Sequence, residues 1–395
     1  MRPLQDSEAV PGFSEEVQTT PVRRLVIVVG AGLKNQGGIA AVNSVYQSFG
    51  MFENRPPQDR GAGGRTSSWS GPRGVWVHYF ESACEGRNIV KLLYSVWRAT
   101  LFALWFPRSS LIVHLHVSTG VSFIRKCIYL LLARSKSAKI LIHVHPFGFW
   151  DYAESGGRLR RWTVLWALDR ADTVMVLSDS AARRARMFAP AGKIVVLPNP
   201  VDCRALQMSP APRREIEMVL FLGWYVASKG VYDLIEALAR LRERHPALKA
   251  TFGGCKETSR VKRAVRARDL QGVVEVCGWL DKDRVKTLLH ACSVLVLPTY
   301  TEGIPMVILE AMACGAPIVT CPVGGIPDVV QEGRNVVYVV PGDVQGLTEA
   351  LHRLLIDDRR RDELSANNVD DARKFDVGGL ASRLGSIYER VFDAQ

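Results

Sequence analysis

Residues 302–313 read EGIPMVILEAMA, and Cys314, Gly315, Ala316 and Pro317 follow. One carboxylate, Glu302, stands just before the helical part of this stretch, and a second, Glu310, lies inside it. Pro305 suits a first helical position, where its missing N–H is no loss, and Gly315 with Pro317 ends the helix. Leu309, Met312 and Ala313 mark its packed face. The start of such a helix offers free N–H groups, Gly303 and Ile304 in the turn before it, and the positive end of a dipole, a seat for a phosphate. Glu302 sits beside that seat, and Glu310 is roughly two turns further on at about 1.5 Å per residue. Two acids next to an anion site call for a ligand whose hydroxyls they can accept from. A nucleotide diphosphate-sugar fits: phosphates at the helix start, sugar near Glu302, ribose near Glu310. Upstream, residues 294–298 read as a buried strand, and downstream residues 317–320 read as the next.

Length and composition agree with a large α/β protein. A chain of 395 residues makes two domains of ordinary size, each with a full core. With 47% hydrophobic and 23% charged residues it is globular. The eight cysteines, at 84, 127, 203, 255, 277, 292, 314 and 321, contain no C-x-x-C pair, which argues against a zinc site. The opening residues lack the apolar core of a signal peptide, so reduced thiols in a cytoplasmic compartment are expected.

Residues 1–22 are polar and without periodicity, and read as a disordered lead-in. From residue 23 strands alternate with helical patterns. The first series is 23–29, 75–79, 111–116, 139–145, 173–177 and 193–197. The second is 218–222, 250–252, 273–276, 294–297, 318–321 and 336–339. Such alternation implies right-handed βαβ units and doubly wound parallel sheets. Two series imply two Rossmann-like domains facing a cleft, 23–205 and 206–376, joined at the Pro-rich stretch near 203–215. Residues 51–74, rich in Gly, Pro, Ser and Arg, break the rhythm: they are either a mobile acceptor-side loop or plain disorder. Gly30-Ala31-Gly32 begins a dinucleotide fingerprint, but Asn35 stands where its third glycine is needed, which excludes a dehydrogenase reading.

Glu302 and Glu310, with seven residues between them in EGIPMVILEAMACGAPIVTCPVGGIPDVV, resemble the retaining GT-B glycosyltransferases of family 4. The resemblance runs from about residue 23 to the end of the chain and is strongest between Gly223 and Gly342. HVHPFGFWDY resembles the family segment that bears an active-site histidine after a buried strand, which implies a catalytic place for His145 at the sugar. FLGWYVASKGV resembles the strand–loop–Lys-Gly element and implies that Lys229 stabilises the diphosphate. There the residue after Gly223 is typically Arg, and this chain has Trp224, so one phosphate cation is missing or comes from elsewhere. Gly278, Trp279 and Leu280 resemble the wall of the nucleobase site. Gly37 and Gly38 resemble the glycine turn that approaches donor phosphate or acceptor, although a tight turn needs glycine for its own conformation too. Residues 114–126 resemble the bacterial exopolysaccharide branch, in which Arg125 and Lys126 either bind an acidic or pyrophosphate-bearing acceptor or form a solvated basic turn. The terminal helix, residues 377–392 within the segment 377–395, resembles the family helix that crosses back onto the first domain.

The resemblance implies transfer of a hexose from a nucleotide diphosphate-sugar to a glycan or polyprenyl-linked acceptor, with no cofactor and no metal. Phosphate charge would be met by the helix start and Lys229. A net charge of +12 gathers in the first half beside apolar runs at 92–106 and 128–132, both too short or interrupted to span a bilayer. A peripheral helix on the inner, anionic face of the cytoplasmic membrane and a buried helix with a solvated basic face both fit. No nucleic-acid recognition motif accompanies the charge. Two other functions stay open: a GT-B nucleotide-sugar 2-epimerase, and a catalytically weak protein that binds a sugar nucleotide or a membrane.

Overall fold

A computed structural model describes residues 24–32, 37–52, 75–82, 88–105, 111–146, 148–208, 214–215 and 217–394. The expectations for 1–22 and for most of 51–74 lie outside them. The first sheet contains β1 (Arg24–Gly30), β2 (Val75–Glu81), β3 (Leu111–Val117), β4 (Lys139–Val144), β5 (Thr173–Val176) and β6 (Ile194–Val196). Its helices are α1 (Gly38–Ser48), α2 (Asn88–Trp105), α3 (Val121–Arg134), α4 (Phe149–Ser155), α5 (Arg158–Asp169) and α6 (Asp179–Ala185), with α7 (Cys203–Leu206) at the crossing. The second sheet contains β7 (Met218–Leu222), β8 (Lys249–Gly253), β9 (Val274–Gly278), β10 (Val294–Leu297), β11 (Ile318–Thr320) and β12 (Val336–Tyr338). Around it lie α8 (Val231–Leu241), α9 (Thr258–Ala267), α10 (Lys282–Ala291), α11 (Met306–Ala313), α12 (Val344–Ile356) and α13 (Asp358–Ala372), followed by α14 (Val377–Asp393).

Both sheets are six-stranded, ordered β2-β1-β3-β4-β5-β6 and β12-β11-β10-β7-β8-β9, and every strand pair is parallel. Strands buried on both faces read as unbroken apolar runs. That is why MVLFL and VLVL are legible as β7 and β10, both fully buried. In each sheet the strand order reverses next to the first strand of its series, and crevices at such switch points open at the carboxyl ends of the strands.

The chain passes between the sheets twice, and the two passages touch. Val201 N–H donates to Phe375 C=O at 2.9 Å and Val377 N–H donates to Val201 C=O at 2.9 Å. After the second passage α14 lies on the first sheet's domain, where Arg24 pairs with Asp393 and Tyr388 hydrogen-bonds His114.

Candidate active site

The loops after β7 and β10 are tied into one unit. Gly230 has φ 69°, and a Cβ there would stand 2.0 Å from the Pro298 carbonyl oxygen, so only glycine allows this approach. Ser228 C=O then accepts from Tyr300 N–H at 2.9 Å and from Thr299 Oγ1 at 3.1 Å. Between these tethers Lys229 pairs with Glu302, and its Nζ lies 3.4 Å from Thr301 C=O. Both side chains of the pair are largely buried. Burial pushes the Glu302 carboxyl above the usual carboxylate range, while the Lys229 ammonium pulls the other way.

The turn that carries Glu302 is clamped against the first domain. Asn199 Nδ2 donates to Ile304 C=O at 2.8 Å, and Gly325 N–H donates to Gly303 C=O at 3.0 Å. A Cβ on Gly303 would come within 2.4 Å of the His145 carbonyl oxygen. α11 starts one residue later than the sequence reading placed it: Pro305, with ψ 129°, is the N-cap and Met306 opens the helix. The reason is that Pro305 already has an extended ψ, so the chain turns helical only after it. Ile308 N–H turns back to Pro305 C=O at 3.1 Å, whereas no described residue accepts from Met306 or Val307 N–H. These two donors are open backbone N–H groups at the positive end of the helix, an arrangement that can hold an anion. Glu310, half-buried two turns on, has its carboxyl raised by burial and lowered by Lys282. Lys282 Nζ in turn donates to Ser44 Oγ of α1 at 2.6 Å, across the seam between the domains.

His145 follows β4 at the seam, and three more histidines lie behind it. His114 and His116 alternate along β3, and His143 and His145 along β4, with His116 registered to His143. Period-two alternation puts all four rings on one sheet face. His114 Nδ1 meets Tyr388 Oη at 2.8 Å, His114 Nε2 meets His143 Nδ1 at 3.3 Å, and His116 Nδ1 meets His145 Nε2 at 2.6 Å. All four are buried, and desolvation drives their pKa values well below the ordinary histidine value, that of His143 to about 3. The four rings are therefore neutral at pH 7. Donor atoms of His114, His116 and His143 lie within 4.8 Å of one another, which among the described residues is the one group with the spacing to hold a metal ion. Four of its six ring nitrogens are engaged, by one another, by Tyr388 and by His145.

Across the seam from α1, Trp224 extends to 3.3 Å from the Cβ position of Gly37, the N-cap of α1, whose φ is 140°. Lys256 Nζ stands 4.7 Å above the Trp224 ring. Lys256 itself has φ 96°, a conformation that non-glycine residues hold only when their surroundings enforce it. Here the enforcement includes the Tyr225–Lys256 bridge and the Tyr225 N–H to Cys255 C=O bond of 2.7 Å. Gly223 makes ordinary contacts, and nothing lies near the Cβ position of Gly38. Gly278 has φ 82°; Leu280 packs into the notch over Gly253, while Trp279 stays half exposed.

The basic pair on α3 splits. Lys126 is 2% exposed, bonded to Ser82 Oγ and 3.5 Å from Gly30 C=O, and burial holds its amine well below the usual lysine range. It ties the ends of β1 and β2 to α3 and does not present a free cation to an acceptor. Arg125 is half-buried beside it. Sequence reading also passed over Asn199, Lys256, Lys282 and the other three histidines as site residues. Only the H-x-H repeats at 114–116 and 143–145 carried a signal, through their alternation.

Residues 22–200 match the family of glycosyl transferase 4-like domains, and residues 208–371 match glycosyl transferases group 1. A glycogen synthase of Mycobacterium tuberculosis is 32% identical over 197 residues, 49% of this chain and 47% of that protein. A D-inositol 3-phosphate glycosyltransferase of Nocardiopsis dassonvillei is 29% identical over 260 residues, 60% of each chain. The chain thus spans about half the length of these curated relatives. Sucrose-phosphate synthase from Thermosynechococcus elongatus shares the fold, with a TM-score of 0.72 at 20% identity over 94% of this chain and 100% of that one. Anabaena HepE, solved in complex with UDP and glucose, does so with a TM-score of 0.69 at 17% identity over 93% and 99%. With both domains matched in order, and with two six-stranded parallel sheets facing each other, the chain belongs to the group 1 glycosyltransferases of GT-B fold.

Proposed function

We propose that this protein is a retaining glycosyltransferase that moves a hexose from a nucleotide diphosphate-sugar to a glycan or lipid-linked acceptor in the assembly of a cell-surface polysaccharide. The observation that carries this reading is the Lys229–Glu302 pair beside the open N–H groups of α11, set against the backbone of His145. The HepE neighbour, solved with UDP and glucose, supports a sugar nucleotide as donor.

In this account Met306 and Val307 N–H hold the leaving diphosphate. Lys229 is already half-neutralised by Glu302, so a second cation is required, and Lys256 over Trp224 supplies it. Glu302 accepts from sugar hydroxyls, Glu310 from the ribose, and Leu280 and Gly278 wall the base. The bond from the anomeric carbon to the diphosphate oxygen breaks while the acceptor oxygen bonds to the same face. The acceptor proton passes to the departing phosphate oxygen. His145 hydrogen-bonds the sugar as a neutral ring. Charge stabilisation by fixed donors in a dry crevice makes a metal unnecessary.

The acceptor reading draws on the outer face of α3. Val121, Ile124, Ile128 and Leu131 form an exposed apolar stripe, and Trp97 of α2 and Trp162 of α5 are exposed as well. The sequence of α3, VSFIRKCIYLLLAR, contains bases and no acid. An exposed apolar stripe on a helix without acids suits a lipid surface. No described helix is long and apolar enough to cross a membrane.

The test is incubation with UDP-, GDP- and ADP-sugars, with and without bacterial lipid extract, with the product's anomeric configuration read by NMR. Acceptor-dependent loss of donor with retained configuration is expected. Isomerisation of the donor without acceptor would identify an epimerase, and binding without turnover a non-catalytic protein.

A further inference from the structure

We propose that His116 is a positioning residue that fixes the tautomer and orientation of His145. The inference rests on the reading that His145 meets the donor sugar.

The backbone sets the problem. His145 lies just past the end of β4, where a side chain is ordinarily free to choose rotamers and ring flips. Its carbonyl faces the Gly303 turn and its N–H reaches Val117 C=O at 3.4 Å. The ring is held from two further directions. His143 lies against it with centroids 4.3 Å apart, and His116 stacks at 4.8 Å with planes 19° apart. Among the described residues only His116 makes a hydrogen bond to the ring, between its Nδ1 and His145 Nε2, which lie 2.6 Å apart.

Two neutral imidazoles at that distance must divide the roles, one donating and one accepting. The bond therefore commits Nε2 of His145 and leaves Nδ1 as the nitrogen that a ligand can reach. A neutral ring whose free nitrogen has one fixed identity recognises a sugar hydroxyl in one sense. A ring that can flip presents either nitrogen, as donor or acceptor, and loses that selection. Burial keeps both rings neutral, so the arrangement persists across the physiological pH range. The rest of the ladder, Tyr388–His114–His143, backs this pair from α14.

The geometry separates the hydrogen bond from mere bulk. His116 uses Nδ1, and the side-chain amide of Asn reaches the same point, whereas Leu fills the space without a polar atom. In His116→Leu, kcat is expected to fall roughly 10- to 100-fold, with KM for the donor sugar within about twofold. His116→Asn is expected to stay within about threefold of the native kcat, at the scale of a retained hydrogen bond. Nitrogen-15 NMR of the native protein should show His145 as a single tautomer from pH 6 to 8. A tautomer mixture, native kcat in His116→Leu, or equal losses in the Asn and Leu variants would each overturn the proposal. Native turnover in His145→Ala would overturn it too, but by removing the role assigned to His145. If His145→Ala is inactive while His116→Leu is not, only the positioning role fails.

Discussion

Gly303→Ala tests the closeness of the two domains at the reacting centre. The added Cβ would sit 2.4 Å from the His145 carbonyl oxygen, a backbone atom that has no rotamer to change. Carbon–oxygen contacts settle no closer than about 3.3 Å, so the turn and β4 must part by roughly 0.9 Å. The turn has little freedom of its own, because Asn199 and Gly325 hold the carbonyls of Ile304 and Gly303. Separation therefore moves Glu302 and Lys229 away from His145. A misplacement of about 1 Å costs on the order of a hundredfold in rate, while overpacking at a seam that can open costs the fold less than the roughly 1–3 kcal/mol seen in closed cores. Expected results are kcat down by about two orders of magnitude, with the melting temperature lowered only slightly. Gly379→Ala is the control: it lies inside α14 with open space at its Cβ, and should stabilise by about 0.5–1 kcal/mol without touching turnover. Native kcat in Gly303→Ala would refute the closed geometry, and equal loss of kcat and folding would show that Gly303 serves stability alone.

Lys256→Ala should weaken binding of the preferred nucleoside diphosphate about 10- to 100-fold, the worth of one hydrogen bond to a charged group, and leave the corresponding nucleoside unaffected. Calorimetric titration of both ligands checks this, and equal weakening of both would move Lys256 to the base. The histidine ladder predicts acid sensitivity. The folded pKa of His143 is depressed from 6.5 to about 3, so its contribution is complete above pH 6.5 and lost as pH falls towards 3. By pH 4 that loss amounts to about 3 kcal/mol. Urea unfolding at pH 7 and pH 4 should show that much less pH dependence in His143→Phe than in the native protein; identical pH dependence would show that His143 is not held neutral. Placing Asp at both Ile124 and Ile128 should reduce co-sedimentation with phosphatidylglycerol vesicles at least about tenfold and leave turnover of a water-soluble acceptor unchanged. Unchanged sedimentation would remove α3 from the membrane.

What the sequence revealed follows from how local each signal is. β7 and β10 were readable to the residue because a parallel strand buried on both faces is a short apolar run with sharp ends. Pro305 was misplaced by one position because N-cap and first helical residue differ in ψ, which composition does not encode. Lys126 beside Arg125 read as a basic pair, either for an acidic acceptor or solvated. Yet Phe123, Lys126, Leu130 and Ala133 recur at helical spacing on the buried face of α3, and that phase contained the answer. The converse phase, 121, 124, 128 and 131, is the exposed apolar stripe. The Lys256–Trp224 stack and the Asn199 clamp join residues far apart in the chain, and no periodicity could announce them. Pairing of Lys229 with Glu302 was likewise invisible, although both residues were singled out from their motifs.

The seat at the start of α11 is tested most directly by thermal unfolding with UDP, GDP and ADP, in the native protein and in Lys229→Met. A ligand that binds only the folded state at about 100 times its Kd adds roughly 2.7 kcal/mol, or about 5–11 °C for domains of this size. One of the three diphosphates should raise the native melting temperature by that much, and the rise should largely vanish in Lys229→Met. No shift with any of them, or the same shift in the variant, would contradict a diphosphate held between Lys229 and the α11 N–H groups.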